Sequence, residues 1–79
     1  MRLTYDPKFN IAYIRLRPKR SKVTTVSVSD ELNVDIGPNG RIYGIEFLNA
    51  NEQLVGKNGK KLVVQNSRSG ESAEIRLAV

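Results

Sequence analysis

Apolar and polar residues alternate along most of this chain in short runs, the period-two pattern of half-buried strands. Leu3 and Tyr5 alternate with Arg2 and Thr4, which predicts a first strand. Asp6-Pro7-Lys8-Phe9-Asn10 reads as a turn, because Pro7 presets φ and the Asp6 side chain can bond its own backbone. From Ile11 to Arg17, Ala12, Ile14 and Leu16 fall on one face and Ile11, Tyr13, Arg15 and Arg17 on the other, so the first two strands read as a hairpin. Pro18 ends the second strand, since it has no N–H for a ladder. Val23 to Ser29 is rich in β-branched residues, with Thr24, Val26 and Val28 on one face. Leu32, Val34 and Ile36 then alternate with Asn33 and Asp35, which predicts a strand with a wet outer face.

Gly37-Pro38-Asn39-Gly40 is the strongest turn signal in the chain. In the strand that follows, Arg41 to Leu48, Tyr43, Ile45 and Phe47 share one face and Ile42 and Leu48 the other. Apolar residues on both faces predict a central strand covered on two sides. Gly44 inside it predicts a bulge or a close backbone contact. Asn49 to Val55 has room for one short helix, with Asn49 or Asn51 as its cap and Gly56 as its stop. Lys57-Asn58-Gly59 is a further turn, and runs around Leu62–Gln65 and Ala73–Val79, separated by the loop from Asn66 to Glu71, predict a C-terminal hairpin. The expected fold is therefore mainly β: about seven short antiparallel strands in hairpin succession, forming a small barrel or two-layer sheet with at most one short helix. No repeat or linker divides the chain, so residues 1–79 read as one domain.

Composition sharpens this picture. A chain of 79 residues buries only about 60% of its unfolded surface. Without cysteine it has no disulfide and no thiolate zinc site to compensate. Self-association, as a homodimer, is the expected remedy. No run is long and apolar enough for a membrane helix, and the N-terminus lacks the apolar stretch of a signal peptide, which points to a cytoplasmic protein. The net charge of +5 is localised: Arg15-Leu16-Arg17-Pro18-Lys19-Arg20-Ser21-Lys22 holds five basic residues and no acidic one, and the remainder of the chain is neutral.

Tyr5-Asp6-Pro7, Ala12-Tyr13-Ile14-Arg15-Leu16, Val34-Asp35-Ile36, Asn39-Gly40 and Gly44-Ile45-Glu46-Phe47-Leu48-Asn49-Ala50-Asn51 together resemble the domain of unknown function 2283 family, small and mostly bacterial proteins. The resemblance covers roughly residues 1 to 55 and leaves residues 56–79, the C-terminal hairpin, outside it. Family members usually carry an aspartate where this chain has Asn10, and close the last segment with Asn-Ala-Ser where it has Asn49-Ala50-Asn51. A catalytic or metal-binding aspartate at the first position would be lost with Asn10; the more economical reading is that both are turn or cap positions, where Asp, Asn and Ser replace one another. It implies no activity. Some members resemble the smaller partner of toxin–antitoxin pairs, which implies an antitoxin-like, protein-binding role.

The candidate chemistry is sparse. Without histidine or cysteine the chain lacks the commonest general base, metal ligand and activated nucleophiles. No phosphate loop, dinucleotide fingerprint or metalloprotease helix occurs, so neither an enzyme nor a cofactor or metal is expected. Asp35 and Glu46 flank the Gly37–Gly40 turn on adjacent strands, where two carboxylates can share a proton or a cation. Two ligands are too few for a dedicated site, and the plainer expectation is a solvated Asp35 and a Glu46 bonded to a turn or to a nearby arginine. Asp6 reads as a turn residue, and Asp30 with Glu31 as an exposed connection. The most suggestive surface is the basic hairpin, with Arg15 and Arg17 beside Tyr13 and with Lys19, Arg20 and Lys22 in the loop beyond. Cations beside an exposed aromatic suit phosphates and a stacked base, which makes a nucleic-acid-binding module the alternative to a protein-interaction module. The competing structural reading is an edge strand kept soluble by its charge. Tyr5, Phe9, Tyr13, Tyr43 and Phe47 read as core or dimer interface.

Overall fold

In an antiparallel sheet, directly opposed residues present their side chains on the same face, so strand pairing turns alternation along the chain into rows across the sheet. The computed structural model describes residues 1–18, 22–56 and 59–79. Five strands form the main sheet: β1 (Arg2–Asp6), β2 (Ile11–Arg15), β3 (Thr24–Ser29), β4 (Leu32–Ile36) and β5 (Ile42–Leu48). Their spatial order is β1-β2-β5-β4-β3, and every pairing is antiparallel. One row runs Leu3, Ile14, Ile45, Val34, Val26 across all five strands, and the next runs Tyr5, Ala12, Phe47, Leu32, Ser29. The opposite face carries Thr4, Tyr13, Glu46, Asn33, Ser27 and then Arg2, Arg15, Gly44, Asp35, Thr25. One face is therefore apolar and the other polar.

The mainly β, antiparallel class follows the sequence pattern, but the sheet stays open and does not close into a barrel. The chain departs from simple hairpin succession after β2: the segment that follows leads to β3 at the far edge, and β5 inserts between β2 and β4. β5 is central, as its apolar content predicts, yet it is not covered on both sides, since Ile42 is 43% exposed and its other face carries Gly44 and Glu46. Two register shifts break strict alternation. In β3 the shift between Ser27 and Ser29 turns Ser29 towards Leu32 and leaves Val28 60% exposed, so Val28 does not extend the Thr24–Val26 face. A second shift, where Asp35 pairs with Gly44 but Ile36 pairs with Ile42, makes Tyr43 the extra residue. The Gly37–Gly40 turn closes as expected, with the Gly40 N–H bonding the Gly37 carbonyl at 2.9 Å and Gly40 at φ 80°.

The short helix α1 (Ala50–Leu54) packs against β2. Asn49 stands at its N-cap in the left-handed region (φ 52°) but makes no capping bond from its side chain. That task falls to Asn10, itself left-handed at φ 55° in the β1–β2 turn. The Asn10 Oδ1 accepts the Asn51 N–H at 2.9 Å, its carbonyl accepts the Ala50 N–H at 2.9 Å, and its amide donates to the Asn51 Oδ1 at 2.7 Å and the Asn49 Oδ1 at 3.1 Å. Position 10 is thus a turn and cap residue, and the two departures from the family pattern touch each other. Here two asparagines meet as amide donor and amide acceptor. Gln53 ties the helix down by donating to the carbonyls of Glu31 and Leu48.

Strands β6 (Lys61–Gln65) and β7 (Ser72–Arg76) form a separate two-stranded sheet. Its loop is organised by Asn66, whose Oδ1 accepts the Arg68 and Ser69 N–H groups at 2.9 and 3.0 Å. Opposed pairs Leu62–Ile75 and Val64–Ala73 give the hairpin an apolar face, yet every residue of both strands is exposed. Burial elsewhere is slight. Among the described residues the buried apolar side chains are Ala12 and Ala50, and no large side chain is fully buried. The Cα radius of gyration is 14.1 Å, against about 12 Å for a compact chain of this length. The surface is 6298 Å², against about 4,800 Å² for a folded monomer of this mass.

Candidate functional site

The polar face is built around Gly44. A Cβ at this position would lie 2.0 Å from the Tyr13 hydroxyl and 2.3 Å from its ring carbon Cζ. Glycine therefore lets the Tyr13 side chain, rooted on β2, lie across β5 and reach β4. There its hydroxyl donates to the Asp35 Oδ2 at 2.6 Å, while the Thr25 hydroxyl from β3 donates to the Oδ1, also at 2.6 Å. Asp35 is 8% exposed, the one buried polar residue among those described. The expectation of a solvated Asp35 is corrected: alternation places it on the polar face, but Thr25 from the adjacent β3 and Tyr13 reaching across β5 from β2 cover it. Burial of the phenol, its hydrogen bond to Asp35 and the field of that carboxylate push the Tyr13 pKa up to about 12.

Glu46 bonds its cross-strand neighbour Asn33 and not the turn or arginine expected of it, accepting from the Asn33 amide at 2.9 Å. Asp35 and Glu46 share the face as diagonal neighbours, each with its own hydrogen-bond donors. Among the described residues no three acidic side chains converge in a way that could hold a metal ion. Asp6 is the turn residue expected of it, its Oδ1 accepting the Lys8 N–H at 2.9 Å, and Asp30 and Glu31 are exposed at the β3–β4 connection.

Two contiguous depressions run along this face. One, of about 450 Å³, is lined by Thr25, Asn33, Asp35 and Glu46, and the other, of about 510 Å³, by Met1, Arg2, Leu16, Arg17 and Pro18. Thr4, Tyr13 and Arg15 line both. The result is a trough with a carboxylate and amide end, a basic end, and Tyr13 between them. Of the six candidate residues of the basic hairpin, Arg15, Arg17 and Tyr13 meet at the basic end, Lys22 is exposed just before β3, and Lys19 and Arg20 lie outside the described residues. Arg15 belongs to an interior strand, because β1 and β3 are the edges, so the reading of this segment as a charged protective edge is corrected. Sequence reasoning missed Arg2 and Thr4, which join the trough only because β1 pairs with β2. Position 2 on a polar-out strand was the available signal. The reading of the five aromatics as one core or dimer interface is corrected too, because they do not share a face. Tyr5 and Phe47 lie on the apolar face, Tyr13 on the polar face, Tyr43 packs over Gly37, and Phe9 is 63% exposed with the Lys8 ammonium 5.3 Å from its ring.

These features define a small open-sheet β domain with one apolar and one polar face. The family model described as Protein of unknown function (DUF2283) matches residues 2–51, and the chain belongs to that family. The match spans β1 to β5 and the start of α1, leaving β6 and β7 outside it. No curated protein and no solved structure matches. Among the described residues no helix is long and apolar enough to cross a membrane.

Proposed function

We propose that this domain is a non-enzymatic interaction module that works as a homodimer, paired through the apolar face of its five-stranded sheet. The observation that carries this reading is the surplus of surface. The chain exposes 6298 Å², about 1,500 Å² more than a folded monomer of its mass leaves in water. A standard interface removes about 800 Å² from each partner, so one such contact fits comfortably within the surplus. The apolar rows supply the right chemistry. Leu3, Ile14, Ile45 and Val34 are half-buried and Val26 is 42% exposed, with no charged residue in either row. A second copy suits this face better than an acidic partner does, because the rows offer no charge to complement and let two cationic chains meet without opposing their basic ends.

Light scattering of the pure protein tests the proposal, with an expected mass near twice 8.8 kDa. Val26→Glu is the diagnostic variant. Val26 is exposed on the edge strand of a single chain, so a charge there is tolerated by the fold but not by the interface. It should give a monomer. A wild-type protein that stays monomeric and folded at high concentration would defeat the reading, as would a stable one-to-one complex with a different protein that excludes the homodimer.

A further inference from the structure

We propose that the basic end of the polar trough binds single-stranded nucleic acid, with phosphates held by Arg2, Arg15 and Arg17 and a base stacked on the Tyr13 ring. Three observations support this independently of the apolar face. First, Arg2 lies directly opposite Arg15 in the β1–β2 ladder, an arrangement of like charges that weakens a sheet unless an anion lies between them. Among the described residues none of Arg2, Arg15 and Arg17 is in an ion pair. Second, these cations line an open cleft of about 510 Å³ together with Thr4 and Tyr13, so guanidinium groups, a hydroxyl and an aromatic ring converge on one space. Guanidinium groups fit phosphate oxygens bidentately, and every base has a face that can stack on an aromatic ring. Third, the positive charge exceeds the need of one phosphate. All of the chain's net +5 arises within residues 15–22, and Lys22 is exposed. A polyanion matches that excess better than a free mononucleotide does. A single strand is required because the bases of a duplex are already stacked and paired, whereas an unpaired base is free to cover Tyr13.

Tyr13 is positioned for this use. Its hydroxyl is anchored to Asp35, and its ring spans Gly44 and lines the depressions on both sides. An aromatic ring held in this way loses little freedom when a base stacks on it.

Fluorescence anisotropy of the full chain with a short labelled oligothymidylate and oligouridylate tests the inference. Binding should weaken with salt, with a log–log slope of about −2 for three phosphates on a single strand. Replacing both arginines of the cross-strand pair (Arg2→Ser with Arg15→Ser) should weaken binding about tenfold or more and bring the slope to about −0.7, since one phosphate contact is left. A matched variant, Lys8→Ser with Lys60→Ser, removes the same charge from exposed positions off the trough and should change affinity by less than about threefold. Circular dichroism confirms that each variant is folded. The proposal is overturned if the lysine variant loses as much affinity as the arginine variant, if duplex DNA binds as tightly as the single strands, or if none of these probes binds at low salt. Val26→Glu lies on the opposite face and should still bind the oligonucleotides, so the dimer and this site succeed or fail separately.

Discussion

One hydroxyl joins three strands on the polar face, and its strength is open to measurement. Tyr13 on β2 crosses Gly44 on β5 to reach Asp35 on β4. Because the phenol is neutral in this contact and its pKa is raised to about 12, the unfolded chain gives up the proton first as pH rises. The stability that this group contributes is complete below about pH 10, where both states hold the proton, and is lost as pH climbs towards 12. Ultraviolet titration should show a tyrosine ionising only near pH 12, and Tyr13→Phe should remove that step. The same variant removes the Tyr13 hydrogen bond to the Asp35 carboxylate and should cost about 1–3 kcal/mol in denaturant unfolding at neutral pH. Gly44→Ala should cost at least as much, since its Cβ would strike the Tyr13 hydroxyl, and much of that penalty should vanish when Tyr13 is also reduced to alanine. The sequence signals Gly44 by being a glycine inside a strand. It gives no sign that Asp35 is buried, because the side chains that cover it come from β2 and β3, and local alternation carries no information about which strands are neighbours.

Among the elements, α1 depends most on a distant residue. Its five residues are too few to hold a helix by propensity, and its N-cap residue supplies no capping bond. Asn10 takes over through a contact spanning 41 positions in sequence. Asn10→Gly keeps the left-handed φ of 55° accessible while removing the side chain, and with it both the cap and the acceptor of the Tyr5 hydroxyl at 3.1 Å. It should destabilise the fold by about 0.5–2 kcal/mol, seen as a lower denaturation midpoint. Asn10→Asp with Asn51→Ser replaces amide donor and acceptor by hydroxyl donor and carboxylate acceptor, and should stay within about 0.5 kcal/mol of the parent. A large loss in that double variant would show that position 10 acts by something other than capping. The strands were legible because period-two alternation is local, and their ends were missed by only a few residues. Their order was not legible. Hairpin succession describes β1–β2, β3–β4 and β4–β5, but nothing in the chain announces that β5 pairs with β2, which is what brings Tyr13 to Gly44 and Asp35.

For the molecule as a whole, the decisive fact is that the alternation pattern promises a core that one chain does not enclose. Two alanines are its buried apolar residues among those described, and the large apolar side chains line one face of an open sheet. A monomer of this form would have little hydrophobic stabilisation to set against chain entropy. If a second copy covers the face, association adds to the stability of the folded chain, and stability depends on protein concentration. The melting temperature should therefore rise as the protein is concentrated, and that dependence should disappear in Val26→Glu together with several degrees of stability. Hydrogen exchange locates the effect. Amides of β5, central in the sheet, should exchange most slowly, and faster in Val26→Glu than in the parent. Amides of β6 and β7 should exchange quickly in both, because a two-stranded sheet with every strand residue exposed is marginally stable by itself. Slow exchange throughout the hairpin would place the interface there and not on the sheet, since only a partner could protect strands that the chain itself leaves open.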